Sequence, residues 1–349
     1  MNFNKIKKIL ALSLCVPMIL TGCSQPAADQ AEKSAETPAV ETPAPESTEP
    51  EAKQEFKIGI SQLVEHPALD ASRQGFIDQL KELGVNVVFD EKNAQGDVAN
   101  AQIIAEKFVK DDVDLIFTIA TLTSQAAKKA IEGTDVPLIF TAVTDPVFSQ
   151  LVTDRNTTDN NITGVDDAAP IKENLELFTK LKKDIRGVGI IYNTGESNSE
   201  VQVNKTKEIA KEMGITIDTV GITTVNDIPQ AIITLSKNVD GLYIITDNLV
   251  ASSISLVAKL AEENKLITVS ADSTHVDEGI MMAEGISFYG IGKQSAIMAK
   301  KILVDKVDIK DIPVESAPEF EIKVNTKVME ALGFTKDNKA FEGAEFTEQ

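Results

Sequence analysis

Six short stretches hold most of the residues whose types could do chemistry. Ser61, Gln62, Glu65 and His66 fall in "GISQLVEHPALD", Thr118, Thr121, Thr123 and Ser124 in "TIATLTSQ", and Thr141, Thr144 and Asp145 in "FTAVTDP". Further along, "YNTGESNSE" carries Asn193, Thr194, Glu196, Ser197 and Asn198, "TDNLVASS" carries Thr246, Asp247 and Asn248, and "VSADST" carries Ser270, Asp272 and Ser273. Each stretch follows an apolar run. Ser, Thr, Asn and Asp are also the preferred helix N-caps, worth about 1 kcal/mol each, so one such residue per stretch needs no ligand. Several stretches carry three or four. Hydroxyls beside free backbone amides at a helix N-terminus hold a carboxylate, and an acid opposite them holds an ammonium, so the set suits a small zwitterion. Glu65, Asp145, Glu196, Asp247 and Asp272 are the acids in place. Asp247 and Glu196 rank first, because they stand directly at strand ends.

Catalytic sets are thin by comparison. His66 and His275 are the two histidines of 349 residues, which gives little support to a histidine metal site or a Ser–His–Asp triad. His275, in "STHVDEG", reads as a solvated loop residue. No phosphate-binding GxxxxGK[ST] occurs, and "GVGIIYN" lacks the third glycine of a dinucleotide fingerprint. The expectation is a binding protein and not an enzyme, with no cofactor and no metal. The chain has no Trp and three tyrosines, Tyr192, Tyr243 and Tyr289. Phe117, Phe140 and Phe178 read as core.

The elements that must position these residues repeat. From Phe56 short apolar runs alternate with amphipathic stretches: "FKIGI", "VNVVF", "DLIFTIA" and "VPLIFTAV", each with a helical pattern between. After a break near "NNITGV" the series restarts with "GVGIIYN", "ITIDTVGI", "GLYIITD" and "KLITVSA". Strands alternating with helices of this length imply βαβ units and parallel sheets. The fold class is therefore α/β: two doubly wound parallel-sheet lobes joined by a hinge. Gly84 and Gly214 each end the first helix of a half. In open parallel sheets ligands bind beyond the carboxyl ends of the strands, where the six polar stretches fall. Strand one is expected to end near Gln62, with Pro67 opening the helix.

The two ends of the chain differ from this texture. "MNFNKIKK" followed by "ILALSLCVPMIL" is a basic segment and an apolar run too short to span a membrane, as in a signal peptide over 1–22. "LTGC" then resembles a bacterial lipobox, making Cys23 the lipid-bearing N-terminus and the only thiol of the mature chain. Residues 23–55 are rich in Pro, Ala, Glu, Ser and Thr and read as a disordered acidic tether. With 54 acidic against 34 basic residues and a formal charge of -20, the chain offers no basic face for nucleic acid or for anionic lipid. The tail "GIMMAEGISFYGIGKQSAIMAKKILVDK" reads as strand, turn and helix, and "FEIKVNTKVMEALGF" as strand and short helix.

Together, "IGISQLVEHPALDASRQGFIDQLKELG", "VDLIFTIAT", "PLIFTAVTDPV", "IYNTGESNS" and "YIITDNLVAS" resemble the bacterial ABC-transporter substrate-binding lipoproteins of the tryptophan/tyrosine type. The resemblance covers about 56–325. It implies a class I periplasmic-binding-protein clamshell, a monomer that closes on an amino acid, with aromatic ones favoured. It also implies permease and ATPase partners, a lipid anchor at Cys23 and a place on the outer face of the cytoplasmic membrane, with the tether suiting a Gram-positive wall. The first lobe would comprise 56–163 and about 280–312, the second 164–279 and about 313–342. By matched motif, Ser61, Gln62, Glu65 and His66 would line one lip. Thr121 would meet the carboxylate with Thr141 and Asp145 nearby, and Glu196, Ser197, Asn198, Asp247 and Asn248 would close from the other lobe. The alternative is a surface adhesin with a host or surface ligand, either instead of binding or in addition to it.

Overall fold

A computed structural model describes residues 54–156, 160–318 and 320–348. The expected leader at 1–22, Cys23 and the tether up to residue 53 lie outside the described residues. Five strands and three helices come first: β1 (Phe56–Gln62), α1 (Pro67–Glu82), β2 (Val87–Asn93), α2 (Val98–Lys110), β3 (Leu115–Ile119), α3 (Thr121–Ala130), β4 (Leu138–Val143) and β5 (Ile162–Asp166). The second series runs α4 (Ile171–Leu181), β6 (Val188–Asn193), α5 (Ser197–Met213), β7 (Ile217–Ile222), α6 (Ile228–Ser236), β8 (Gly241–Ile244), α7 (Asn248–Ala251), α8 (Ile254–Glu263) and β9 (Ile267–Asp272). It is followed by β10 (Met282–Ile286), α9 (Phe288–Leu303), β11 (Phe320–Asn325), α10 (Thr326–Ala331) and β12 (Glu345–Thr347).

The strands form two sheets, in the orders β2-β1-β3-β4-β5 and β12-β11-β10-β9-β8-β6-β7. The first is parallel throughout, and in the second β11 runs antiparallel to β10. Alternate residues of each strand feed opposite faces. In the first sheet Ile58, Ile60 and Phe117 face α1 and α9, while Ile116, Leu138 and Phe140 face α2 and α3. Phe76 of α1 stacks on Phe117 with ring centroids 3.8 Å apart. In the second, Ile190, Tyr243 and Phe178 fill one side and Leu242, Ile244 and Ile232 the other. Phe117, Phe140 and Phe178 are core, as expected. Pro67 does open α1, and Gly84 and Gly214 take the left-handed conformation that ends a helix, with φ of 69° and 72°.

Two boundaries need correction. β10 was expected in the first lobe, but it pairs with β9 and β11 in the second sheet, and the return begins only at Ser287. β5, left as a break at "NNITGV", pairs with β4, so residues 164–166 belong to the first sheet. β5 is five residues long, too brief for its pattern to be read alone, whereas β10 reads as a strand from the sequence and only its sheet differs. Helix α9 then packs on α1. Gly75 and Gly292 make that contact close: a Cβ would come within 2.2 Å of the Tyr289 carbonyl oxygen and 2.0 Å of that of Ser72, respectively. The chain thus passes between sheets three times, at 167–170, at Ser287 and after Glu315, which still bridges to Val165 of β5.

Candidate functional site

The carboxyl ends of both sheets face one narrow cavity. Its volume is only about 20 Å³. His66, Leu69, Ala142, Asp167 and Phe288 line it from the first sheet and from the two crossings next to it. Asn198, Thr246, Asp247, Asn248, Asp272 and His275 line it from the second. Four polar contacts join the lobes around it. His66 Nε2 lies 3.3 Å from Asn248 Oδ1, and the Thr144 and Thr246 hydroxyls are 3.3 Å apart. Gln202 Nε2 reaches Thr144 Oγ1 at 3.5 Å, and Lys205 Nζ donates to Asp145 Oδ2 at 3.2 Å. This is a closed clamshell.

The acids divide into those taken up by neighbouring donors and one that keeps an oxygen free. Glu196 Oε1 accepts from Asn193 Nδ2 at 3.0 Å and from the Leu249 amide at 3.3 Å. Its Oε2 accepts from Asn198 Nδ2, the Asn248 amide and Asn248 Nδ2. Asp247 caps α7 through Val250 and also takes the Asn193 amide at 2.6 Å and the Ser199 hydroxyl at 2.7 Å. Burial and the Glu196 charge push the Asp247 carboxyl up, against those hydrogen bonds. Both acids, ranked first as ammonium partners, instead tie the β6 and β8 loops together. Asp272 Oδ1 is held by the Thr274 amide and hydroxyl, both at 2.8 Å.

Asp167 is different. It is 3% exposed and its Oδ1 has no partner. Burial pushes its carboxyl up to about 7, against the Thr144 and Thr246 hydroxyls and with the charge of Asp166 adding. Asp166 itself is paired with Arg155 and accepts from Ser316 Oγ at 3.2 Å. A buried acid with a free oxygen in a cavity is costly unless something cationic meets it.

A second set of unpaired polar atoms sits at adjacent strand ends of the first sheet. Ser61 Oγ, Thr121 Oγ1 and Thr141 Oγ1 are buried without partners. They belong to β1, the start of α3 and β4, and β3 lies between β1 and β4. Helix α3 has no side-chain cap, because its N-cap is Ala120. Its first amides are thus left for another acceptor. Ala120 holds φ 93° and Ala142 φ 54°, a conformation that costs a residue with a Cβ, and such strain collects at binding sites.

The two histidines meet at the same cavity. His66 is 7% and His275 1% exposed. Burial lowers both below the usual histidine value, against the Asn248 hydrogen bond for His66 and the Asp272 charge for His275. The expectation that His275 is solvated is therefore wrong. A four-residue 3-10 turn, Ser273–Val276, folds it inward, where Nδ1 lies 2.9 Å from Ser270 Oγ and Nε2 lies 3.2 Å from Asp272 Oδ2.

Of the residues singled out from sequence, His66, Asn198, Thr246, Asp247, Asn248 and Asp272 line the cavity. Ser61, Thr121 and Thr141 lie at its strand ends with free hydroxyls, and Ser197 Oγ is also unpaired. Gln62 is turned toward its own loop, donating to Val64 O and Asp70 Oδ1 at 2.8 Å each. Glu65 points to solvent, because the β1–α1 loop buries its neighbour His66 instead. Asp145 is spent on the Phe148 amide and on Lys205. Asp167, His275 and Phe288 were missed as site residues. Asp167 carried a signal in "VDDAAP", two acids at a strand end, but that strand was not recognised. Among the described residues no group of three or more His, Cys, Asp or Glu is arranged to hold a metal ion.

Two parallel-sheet lobes closed over a polar cavity define a class I periplasmic-binding-protein fold. The chain belongs to the ABC transporter substrate binding protein family, whose model matches residues 57–345. A tyrosine-binding protein of Clostridioides difficile is 38% identical over 339 residues, 95% of this chain and 94% of that one. Among solved structures, an ABC domain from Streptococcus pneumoniae in complex with L-Trp superposes with a TM-score of 0.78 at 28% identity, covering 83% of this chain and 99% of that one. The ligand-free, open structure of a substrate-binding protein with adhesive properties from Clostridium difficile gives 0.66 at 40% identity, covering 84% and 99%. The more similar sequence superposes less well.

Proposed function

We propose that the cavity captures an aromatic L-amino acid and presents it to the permease and ATPase of an importer. The observation that carries this reading is the pairing of two kinds of unpartnered buried group: one free carboxylate oxygen, at Asp167, and three free hydroxyls beside an uncapped helix, at Ser61, Thr121 and Thr141. Asp167 takes the ammonium, and the hydroxyls with the α3 amides take the carboxylate. Leu69, Ala142, Ala251 and Phe288 supply apolar walls for a ring. The narrowness of the closed cavity means that the lobes part to admit it. The names of the tyrosine-binding relative and of the L-Trp complex support the aromatic choice.

Calorimetry of the refolded mature protein, stripped of carried ligand, tests the reading against the twenty amino acids and common sugars. Aromatic amino acids should bind best, and no response to any amino acid would overturn it. Cys23 is proposed to carry the lipid, so Cys23→Ala should move the protein from the membrane fraction to the medium. A second role in adhesion is favoured by the adhesive properties of the 40% identical neighbour. Cell attachment unchanged on deletion of the gene would remove it.

A further inference from the structure

We propose that His66 and His275 form an acceptor–donor pair that reads the hydroxyl at the tip of the ligand's ring, so that the cavity selects tyrosine over phenylalanine. This rests on the aromatic amino acid reading above. The cavity has two polar poles. Asp167 follows β5, the edge strand of the first sheet, whereas His66 follows β1, three strands away in the same sheet. Leu69, Ala142, Ala251 and Phe288 are the apolar lining of the same cavity. A ligand with its ammonium on Asp167 therefore sends its side chain toward the histidines.

The protons at that pole are fixed by neighbours. Asn248 Nδ2 donates to Glu196, which leaves Asn248 Oδ1 facing His66 Nε2. Nε2 must then carry the proton, and in the neutral ring favoured by burial Nδ1 is an acceptor. That Nδ1 is buried and has no partner. At His275 the ring carries its proton on the same nitrogen, but it is Nδ1 that is engaged. Ser270 Oγ accepts from the Asp272 amide at 3.0 Å, so its own proton is free for His275 Nδ1. Nε2 then carries the ring proton, and it lies near Asp272 Oδ2 but off the line of a hydrogen bond. Both histidines line the cavity, so one acceptor and one donor are left there for a ligand. A phenol satisfies both, an indole N–H only the acceptor, and a phenyl ring neither.

A site built to hydrogen-bond a hydroxyl rejects the analogue without it strongly, because its own buried groups are left unpaired. We expect L-tyrosine to bind at least about a hundredfold more tightly than L-phenylalanine, with L-tryptophan between. 4-Methoxy-L-phenylalanine, which accepts but cannot donate, should fall at least about tenfold below tyrosine. Calorimetry with these four ligands is run on the wild type and on His66→Phe, and the tyrosine/phenylalanine ratio is read. The ratio cancels any effect of the lost Asn248 contact on closure. It should drop below about ten in His66→Phe. A wild-type ratio near one, a methoxy analogue equal to tyrosine, or an unchanged ratio in the variant each overturns the proposal. If His66→Phe does not fold, the wild-type ligand series still decides. Failure of all aromatic amino acids to bind would overturn the reading beneath it instead.

Discussion

Asp167→Asn should strengthen the ligand-free protein while crippling capture. The side chain keeps its size but can no longer ionise. In the folded chain this carboxyl titrates at about 7 instead of 3.8. Between those values the folded state binds the extra proton, so stability falls as pH rises from about 4 to about 7 and stays low above. At about 1.4 kcal/mol per pH unit, the ionised Asp167 costs the empty protein up to about 4 kcal/mol at pH 8. Asparagine removes that cost. Urea unfolding at pH 4 and pH 8 should therefore show little difference between variant and wild type at the lower pH. At the higher pH the variant should be clearly more stable. Binding should move the opposite way. Loss of one partner of a buried ion pair costs about 3–5 kcal/mol, which is about two to nearly four decades of affinity. Wild-type affinity should also weaken as pH falls below about 7, where the ammonium must displace a proton, and the variant should lack that dependence. A variant that binds within threefold of wild type, or that gains nothing at pH 8, refutes the assignment of Asp167 as the ammonium site.

Glu196→Gln replaces the acceptor of five hydrogen bonds and forces an amide toward some of its donors. Urea unfolding should show a loss of about 2–3 kcal/mol, since buried donors are left unpaired. Lys205→Ala removes an inter-lobe ion pair whose lysine is half exposed, so affinity should change by less than about 1 kcal/mol, and added salt should erase the difference. Gly292→Ala pushes a methyl group against the Ser72 carbonyl and should lower stability by about 1–3 kcal/mol in the same unfolding assay.

The alternation of strands and helices was legible in the sequence wherever a run was long enough to show its period. β1, with Pro67 after it, and α5, with Gly214 after it, were placed within a few residues because buried apolar runs and cap residues agree there. β5 was not seen, and β10 was read as a strand but assigned to the wrong lobe, and the reason is contextual. β5 is five residues of mixed texture, and for both strands the sheet they join is set by their neighbours in space. Missing β5 also hid Asp167, because a residue can be assigned to a strand's carboxyl end only after the strand itself is seen.

Within the site, sequence could count the polar groups but could not separate those that build the loops from those left for a ligand. Asp247 and Asp167 are the same residue type at equivalent places, each just past a strand and each nearly inaccessible. Asp247 meets two amides and a hydroxyl, while Asp167 keeps one oxygen free. The difference arises from what lies across the loop in space, which residue type does not encode. The same holds for the histidines. Glu196 fixes Asn248, Asn248 fixes the His66 tautomer, and the Asp272 amide fixes Ser270 and through it His275. Acids that look like ligand contacts thereby act one step removed, setting which histidine nitrogen can accept and which can donate. On this view Glu196→Gln should disturb binding as well as stability, by freeing Asn248 to turn its amide toward His66, and its effect should be larger for tyrosine than for phenylalanine.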